Sequence, residues 1–458
     1  MKLKVDAILD KGFAPMALVC REMREKTAEC GQDVIVAVER NQGYTYTYKT
    51  RIFKDGTGHD EENFKFIDRI AKTLLWVAGG YKITVAGSAV VGEYVKKTFC
   101  HGGTRDFDVR FMERVYEKPF EVIVTSLENA PESKSSAAPV GKYLDGCRIG
   151  FDAGGSDRKV SAVVNGESVY SEEVVWFPKT NSDPNYHYEG ILSAMKTAAS
   201  HMPRVDAIGV SSAGVYVDNK IMVASLFIKV GDEDFEKKVK NMYIDVAREL
   251  GENIPVVVAN DGDVTALAGA MSLEDNGVLG VAMGTSEAAG YVDMDGNITG
   301  WLNELAFAPV DYNEDAMVDE WSGDYGCGVK YFSQDGVIKL APYAGIELDE
   351  SLSPAEKLKV VQGLMKNGDE RARAIYETIG VCFGYTLAYY AEFYDIKHVL
   401  IMGRVTSGDG GELLLNKARE VIKTEFPELE KKMTLNIPDE KARRVGQSVA
   451  AASLPKLN

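Results

Sequence analysis

Residues 148–177, RIGFDAGGSDRKVSAVVNGESVYSEEVVWF, carry the reading on which the fold turns. An apolar strand runs into Asp152-Ala153-Gly154-Gly155-Ser156, and two β-rich runs follow, joined by Asn165-Gly166, a dipeptide favoured in two-residue hairpins. Glycines without Cβ let the backbone turn sharply and bring N–H groups against phosphate oxygens. A carboxylate at the strand end can hold a hydrated Mg²⁺. The ordinary structural reading of the same residues is a glycine-rich hairpin corner.

Downstream, the pattern predicts a helix over 189–202 and a strand over 205–210, then alternation to the end of the chain. Helices are expected at 234–250, 264–272, 354–365, 371–394 and 411–424, and strands at 256–259, 278–283, 289–292 and 398–402. The class is therefore α/β. Upstream, residues 126–141, SLENAPESKSSAAPVG, lack any hydrophobic period and read as a linker. Before it, residues 30–53 resemble a looser copy of the glycine hairpin, followed by a helix (61–77) and a strand (82–86). This copy has no acidic residue before a glycine pair, so it is not expected to hold phosphate. It reads either as a degenerate duplicated half-domain or as an unrelated α/β module with the same period of two.

Three further segments carry chemistry. Val257–Val264 reads VVANDGDV, a strand running into Asn260-Asp261 at a helix start. An Asp there is commonly a cap, but at the mouth of a cleft it can take the proton of an attacking hydroxyl. Residues 280–286, GVAMGTS, end a strand on Gly284-Thr285, which can present backbone N–H and a hydroxyl to phosphates. Residues 399–408, VLIMGRVTSG, place Gly403 and Gly408 between a strand and a helix, where a nucleotide can sit on the helix N-terminus.

The length of 458 residues implies two or three domains. No apolar run is long enough for a membrane span, and the first residues lack the apolar stretch of a signal peptide, so no membrane association and a cytoplasmic location are expected. Six scattered cysteines without CxxC pairs suit reduced thiols. A net charge of -17 argues against nucleic acid as a partner. The acidity lies after residue 140, because residues 1–140 carry 21 Lys and Arg against 20 Asp and Glu.

Taken in order, the acidic glycine hairpin, Asn-Asp, Gly-Thr and a late glycine loop follow the order of ATP-site elements in the sugar-kinase, actin and Hsp70 superfamily. The chain resembles the ROK family of sugar kinases and sugar-responsive repressors over about residues 148–454. The segments that add to this are GVSSAGVYVDNKI (209–221), GCGVKYFSQDGVI (326–338), RVTSGDGGELLL (404–415) and VGQSVAAASL (445–454). The resemblance implies a ribonuclease-H-like, actin-like ATPase fold of two lobes with an additional N-terminal α/β domain. The expected domains are 1–125, a linker 126–147, a first lobe 148–255 completed by 445–458, and a second lobe 256–444. It also implies ATP and Mg²⁺. Asp152, Gly154, Gly155 and Ser156 would form the first phosphate loop, Asp152 reaching Mg²⁺ through water. Gly284 and Thr285 would form the second, with Gly403 and Gly408 near the nucleotide. Asp261 would be the general base, and Asn260, Glu304 and Gly214 would lie on the side of a sugar or polyol. A homodimer follows by analogy only.

Departures from the family pattern are equally specific. Asp157 stands where a Lys usually follows the glycine hairpin; Arg158 or Lys159 could compensate, but neighbours on a strand face opposite ways. Ala213 replaces a Pro, Phe307 a sugar- and zinc-binding His, and Arg404 a Gly. Of the zinc ligands only Cys327 remains, with Glu320 and Ser322 in the other places, so no structural zinc is expected. The leading expectation is an ATP-dependent carbohydrate kinase. The alternatives are a non-catalytic sensor of sugar or nucleotide and, against the neutral N-terminal part, a DNA-binding repressor.

Overall fold

The computed structural model describes residues 2–135, 141–438 and 440–457. Residues 136–140 of the expected linker lie outside the described residues, as do residue 439 and the last residue of the closing segment 445–458. The chain divides into two compact units, each with its own sheet system.

One unit comprises Ala137–Gly280, Gly290–Thr299 and Pro438–Asn458. Its sheet contains β5 (Cys147–Ala153), β6 (Asp157–Val164), β7 (Glu167–Val175), β8 (Ala207–Ser212) and β11 (Val256–Asn260), in the order β11-β8-β5-β6-β7. The β5–β6–β7 meander is antiparallel, while β8 pairs in parallel with β5 and β11 in parallel with β8. β9 (Val215–Val217) and β10 (Lys220–Val223) make a separate small hairpin. Every residue of β5 is buried, as a central strand covered on both faces requires. On one face Ile149, Phe151, Ile208 and Val210 join Ile191, Met195, Tyr243 and Val246 in the core. Each such apolar side chain contributes about 1.5–3 kcal/mol by leaving water. On the other face lies the C-terminal helix Glu440–Ala452, admitted by two glycines. A Cβ on Gly150 would stand 1.8 Å from the Ser448 carbonyl oxygen, and one on Gly209 1.6 Å from that of Ala451.

The other unit comprises Met1–Ser136, Val281–Ala289 and Gly300–Ile437. Its N-terminal sheet is β1 (Gly31–Glu39), β2 (Thr45–Phe53), β3 (Lys82–Ala86) and β4 (Glu121–Thr125), ordered β2-β1-β3-β4. Hairpin, helix (Asp60–Val77) and strand follow each other as in the apparent sequence copy. The pairing differs, because β3 runs antiparallel directly against β1, and among the described residues no strand takes the place that β5 holds in the other sheet. The fourth sheet, β13-β12-β14-β15, consists of β12 (Val278–Met283), β13 (Glu287–Val292), β14 (His398–Met402) and β15 (Thr434–Asn436). The helix Glu370–Tyr390 is buried along nearly its whole length and packs on Asp409–Glu425.

The α/β class and most predicted elements agree with the observed ones. One expected helix, 234–250, is broken instead into Asp232–Asp234, a π-helical turn Phe235–Val239 and Met242–Leu250. The break leaves the Lys240 carbonyl to accept a hydrogen bond from the Ile221 N–H of β10, 2.9 Å away. A tertiary hydrogen bond replaces one that the helix ladder would have made.

Candidate functional site

The C-terminal ends of the parallel strands β5, β8 and β11 bring Asp152, Ser211, Ser212 and Asn260 level with one another. Carboxyl ends of parallel strands are where open α/β sheets bind ligands. The Ser211 hydroxyl donates to Asp152 Oδ1 at 2.8 Å, and Gln447 Nε2 donates to Ser211 at 3.3 Å. Ser212 is held by the Tyr243 hydroxyl at 2.9 Å. Burial pushes Asp152 up to about 6; Ser211 and Lys159 oppose the shift, and Asp261 adds to it as a second nearby carboxylate. A carboxylate held up in this way gains from a neighbouring cation, and this fits it to a hydrated Mg²⁺.

Gly154, Gly155 and Ser156 form the corner between β5 and β6. The corner is pinned by Trp176, whose indole N–H donates to the Gly154 carbonyl at 2.8 Å and whose backbone N–H donates to that of Ser156 at 3.1 Å. Asn260 closes the other side. Its Nδ2 donates to the Gly214 carbonyl at 2.7 Å while its Oδ1 accepts from the Gly262 N–H at 2.7 Å, capping the helix Asp261–Leu273. Asp261 is the first residue of that helix and also accepts from Gly262, at 3.0 Å. Burial raises its carboxyl above the ordinary Asp value, against the lowering influence of the Gly262 N–H and of the Lys179 ammonium. Seven of the residues singled out in the sequence, Asp152, Gly154, Gly155, Ser156, Gly214, Asn260 and Asp261, thus belong to one compact unit.

The other unit holds Gly284, Thr285, Gly403, Gly408 and Glu304. Gly403, at φ +100°, directly follows β14, and the Val405 N–H donates to the Met283 carbonyl at 3.0 Å, so the late glycine loop lies against the Gly284-Thr285 turn. Gly408, at φ +76°, precedes the helix Asp409–Glu425. Arg404 is exposed, and its carbonyl accepts from Gln362 Nε2 at 2.7 Å. The Glu304 backbone N–H donates to the Trp76 carbonyl at 3.0 Å.

The departures from the family pattern acquire physical reasons here. Phe307 packs on Trp76, ring centroids 4.4 Å apart, and joins Phe107 and Phe111 from the N-terminal part of the chain. The position serves an aromatic cluster, and its side chain has no hydrogen bond to offer a ligand. In the loop containing Cys327, Glu320 pairs with Lys330 and Ser322 donates to Asp319 at 2.6 Å. Cys327 is buried and its thiol is pushed up to about 11 by desolvation. Beside it, Asp324 meets Lys72 at 2.8 Å, Arg69 at 2.7 Å and Arg105 at 2.8 Å. Arg105 also pairs with Asp68, and the Trp76 indole donates to Asp108 at 2.6 Å. Three carboxylates and three cations thus balance inside the unit. Among the described residues, no group of three or more His, Cys, Asp or Glu is placed to hold a metal ion together.

Sequence reasoning missed Glu287, on β13 two residues beyond Thr285. It is 3% exposed, and among the described residues neither carboxylate oxygen has a partner in good hydrogen-bond geometry. Desolvation and the nearby Glu304 push it up to about 8, moderated by the Tyr390 hydroxyl. The folded protein therefore keeps a proton that an unfolded Glu loses near its ordinary value of 4.5. More protons are bound folded than unfolded between these values, so stability falls as pH rises across that window. Glu287→Gln should raise the melting temperature more at pH 8 than at pH 5 in a thermal-shift comparison. A gain independent of pH would mean that the carboxyl is not protonated in the fold.

No protein-family model matches the chain, and neither does any curated protein sequence. Solved structures do match in fold. A ROK hexokinase from Thermus thermophilus superposes with a TM-score of 0.51 at 18% identity, covering 66% of this chain and 97% of the other. A putative sugar kinase from Cytophaga hutchinsonii gives 0.50 at 16% identity, covering 66% and 98%. The chain therefore has the actin-like ATPase fold of the ROK proteins, as the sequence resemblance implied. No described helix is long and apolar enough to cross a membrane.

Proposed function

We propose that this protein is an ATP-dependent kinase that phosphorylates a hydroxyl of a sugar or sugar-like polyol. The observation that carries the reading is the convergence of Asp152, the Trp176-pinned glycine corner and Asp261 at the ends of three neighbouring strands. In this reading Asp261 takes the acceptor hydroxyl's proton, a role suited by a carboxyl raised above its ordinary value. Asn260, oriented by the Gly214 carbonyl, positions the acceptor, and Glu304 is assigned to sugar binding by the family resemblance alone. Gly154, Gly155 and Ser156 serve as a phosphate loop of their unit; within the other unit Gly284 and Thr285 are assigned to phosphate, and Gly403 and Gly408 to the nucleotide. When bound through Asp152, Mg²⁺ would neutralise phosphate charge. The reading includes a cytoplasmic protein without nucleic-acid partners, and homodimerisation.

A non-catalytic sensor is the second reading, favoured by Phe307, which is committed to the Trp76 cluster, and by Asp157 beside the glycine corner. Thermal-shift and calorimetric titrations separate the two. A kinase binds Mg·ATP and a sugar together and releases ADP only when both are present. Stabilisation by a ligand without any sugar-dependent ADP release would favour the sensor.

A further inference from the structure

The glycine corner lacks the cation that phosphate binding calls for within its own strand. Asp157 stands next to Ser156, and its carboxylate meets Lys159 at 3.3 Å. Lys159 also faces Asp152, 3.9 Å away and directly opposite in the β5–β6 register. That ammonium is already shared between two acids. Arg158 points to the other face, its guanidinium 5.8 Å from the Trp176 ring. Neither is placed to meet a phosphate with its charge unspent.

A cation arrives from elsewhere in the same unit. The turn Pro178–Thr180 follows β7 and is fastened at several points. His187 Nε2 sits 3.0 Å from the Pro178 carbonyl, the Tyr186 hydroxyl meets the Phe177 N–H at 2.9 Å, and Trp176 pins the turn's root to the glycine corner. This fastening carries Lys179 over Gly155. A Cβ built on Gly155 would lie 3.0 Å from Lys179 Cε and 3.2 Å from Nζ. A side chain at position 155 would press on the lysine and shift its end by a few tenths of an ångström, so the lysine covers the backbone that would receive phosphate. Lys179 is exposed, and among the described residues no carboxylate lies within ion-pair distance of it. Its charge also acts to lower the Asp261 carboxyl, against the burial that raises it.

We infer that Lys179 is the phosphate-binding cation of this site, holding the terminal phosphate of ATP between the Gly155 backbone and Asp261. The inference rests on the kinase reading. In the reaction, the acceptor hydroxyl oxygen forms a bond to the terminal phosphorus and the bond from that phosphorus to the bridging oxygen breaks. ADP leaves with that electron pair, and the hydroxyl proton passes to Asp261. The ammonium of Lys179 neutralises charge on the transferred group throughout and draws no proton from it.

The test compares Lys179→Ala and Lys179→Arg with the wild type in steady-state kinetics, and in titrations with adenylyl imidodiphosphate and with AMP, both with Mg²⁺. Lys179→Ala should lower kcat/KM for ATP about 10²-fold and weaken the imidodiphosphate about 10-fold. The sugar KM and the affinity for AMP should stay unchanged. Lys179→Arg should keep most of the wild-type values, because a point charge is what the site needs. An unchanged imidodiphosphate affinity in Lys179→Ala, or an equal loss for AMP, overturns the inference, as does a wild type that binds no nucleotide. A wild type without turnover whose imidodiphosphate binding still depends on Lys179 removes the kinase reading and leaves Lys179 as a phosphate ligand.

Discussion

Asp261→Asn should lower kcat by about 10²- to 10⁴-fold while leaving the fold intact. The substitution is nearly isosteric, and an Asn side-chain oxygen can still accept the Gly262 N–H that Asp261 accepts at 3.0 Å. The Asn260 cap, with its bonds to Gly262 and Gly214, is untouched. What is lost is the carboxylate that receives the acceptor's proton. A carboxyl raised by burial also places the acidic limb of kcat above the ordinary Asp range, so activity in the wild type should fall off at a pH higher than about 3.9. A melting temperature within error of wild type, alongside the loss of kcat, separates chemistry from stability. An unchanged kcat removes Asp261 as base.

Asp324→Asn should destabilise its unit by about 3–5 kcal/mol, because it leaves Lys72, Arg69 and Arg105 buried without their shared partner. Lys72 is wholly buried and Arg69 nearly so. The three cations hold the Asp324 carboxyl far below its usual value. Its stabilising contribution is therefore present above the ordinary carboxylate range and is lost as pH falls through the depressed value. Denaturant midpoints should show the loss at neutral pH. Adding Lys72→Met to Asp324→Asn should recover part of it, since one stranded charge is removed. A single variant as stable as wild type would show that water solvates the cluster.

The contrast between these two residues explains how much was legible in the sequence. Asp261 announces itself because strand, Asn-Asp and helix start are consecutive, and the local chain alone fixes their geometry. The Gly154–Gly155 corner was legible for the same reason. Asp324 was not, because its partner Arg69 lies 255 positions away and only the packing of the helix Asp60–Val77 brings them together. Phe307 could be seen as a departure, but its reason, Trp76, could not. Lys179 gave no signal in a loop of Pro, Asn and Asp, and only the Trp176 and His187 contacts place it over Gly155. Glu287 sits on a strand otherwise built of small and apolar residues, and its missing hydrogen-bond partners are a property of the fold.

Phosphoryl transfer to a sugar-like hydroxyl is tested most directly by mass spectrometry of the products. Purified protein is incubated with Mg·ATP and a panel of hexoses, amino sugars and polyols. At least one acceptor should gain a single phosphate in step with ADP, and Asp261→Asn should abolish the gain. No phosphorylated acceptor across the panel, from protein that still binds ATP, would contradict it.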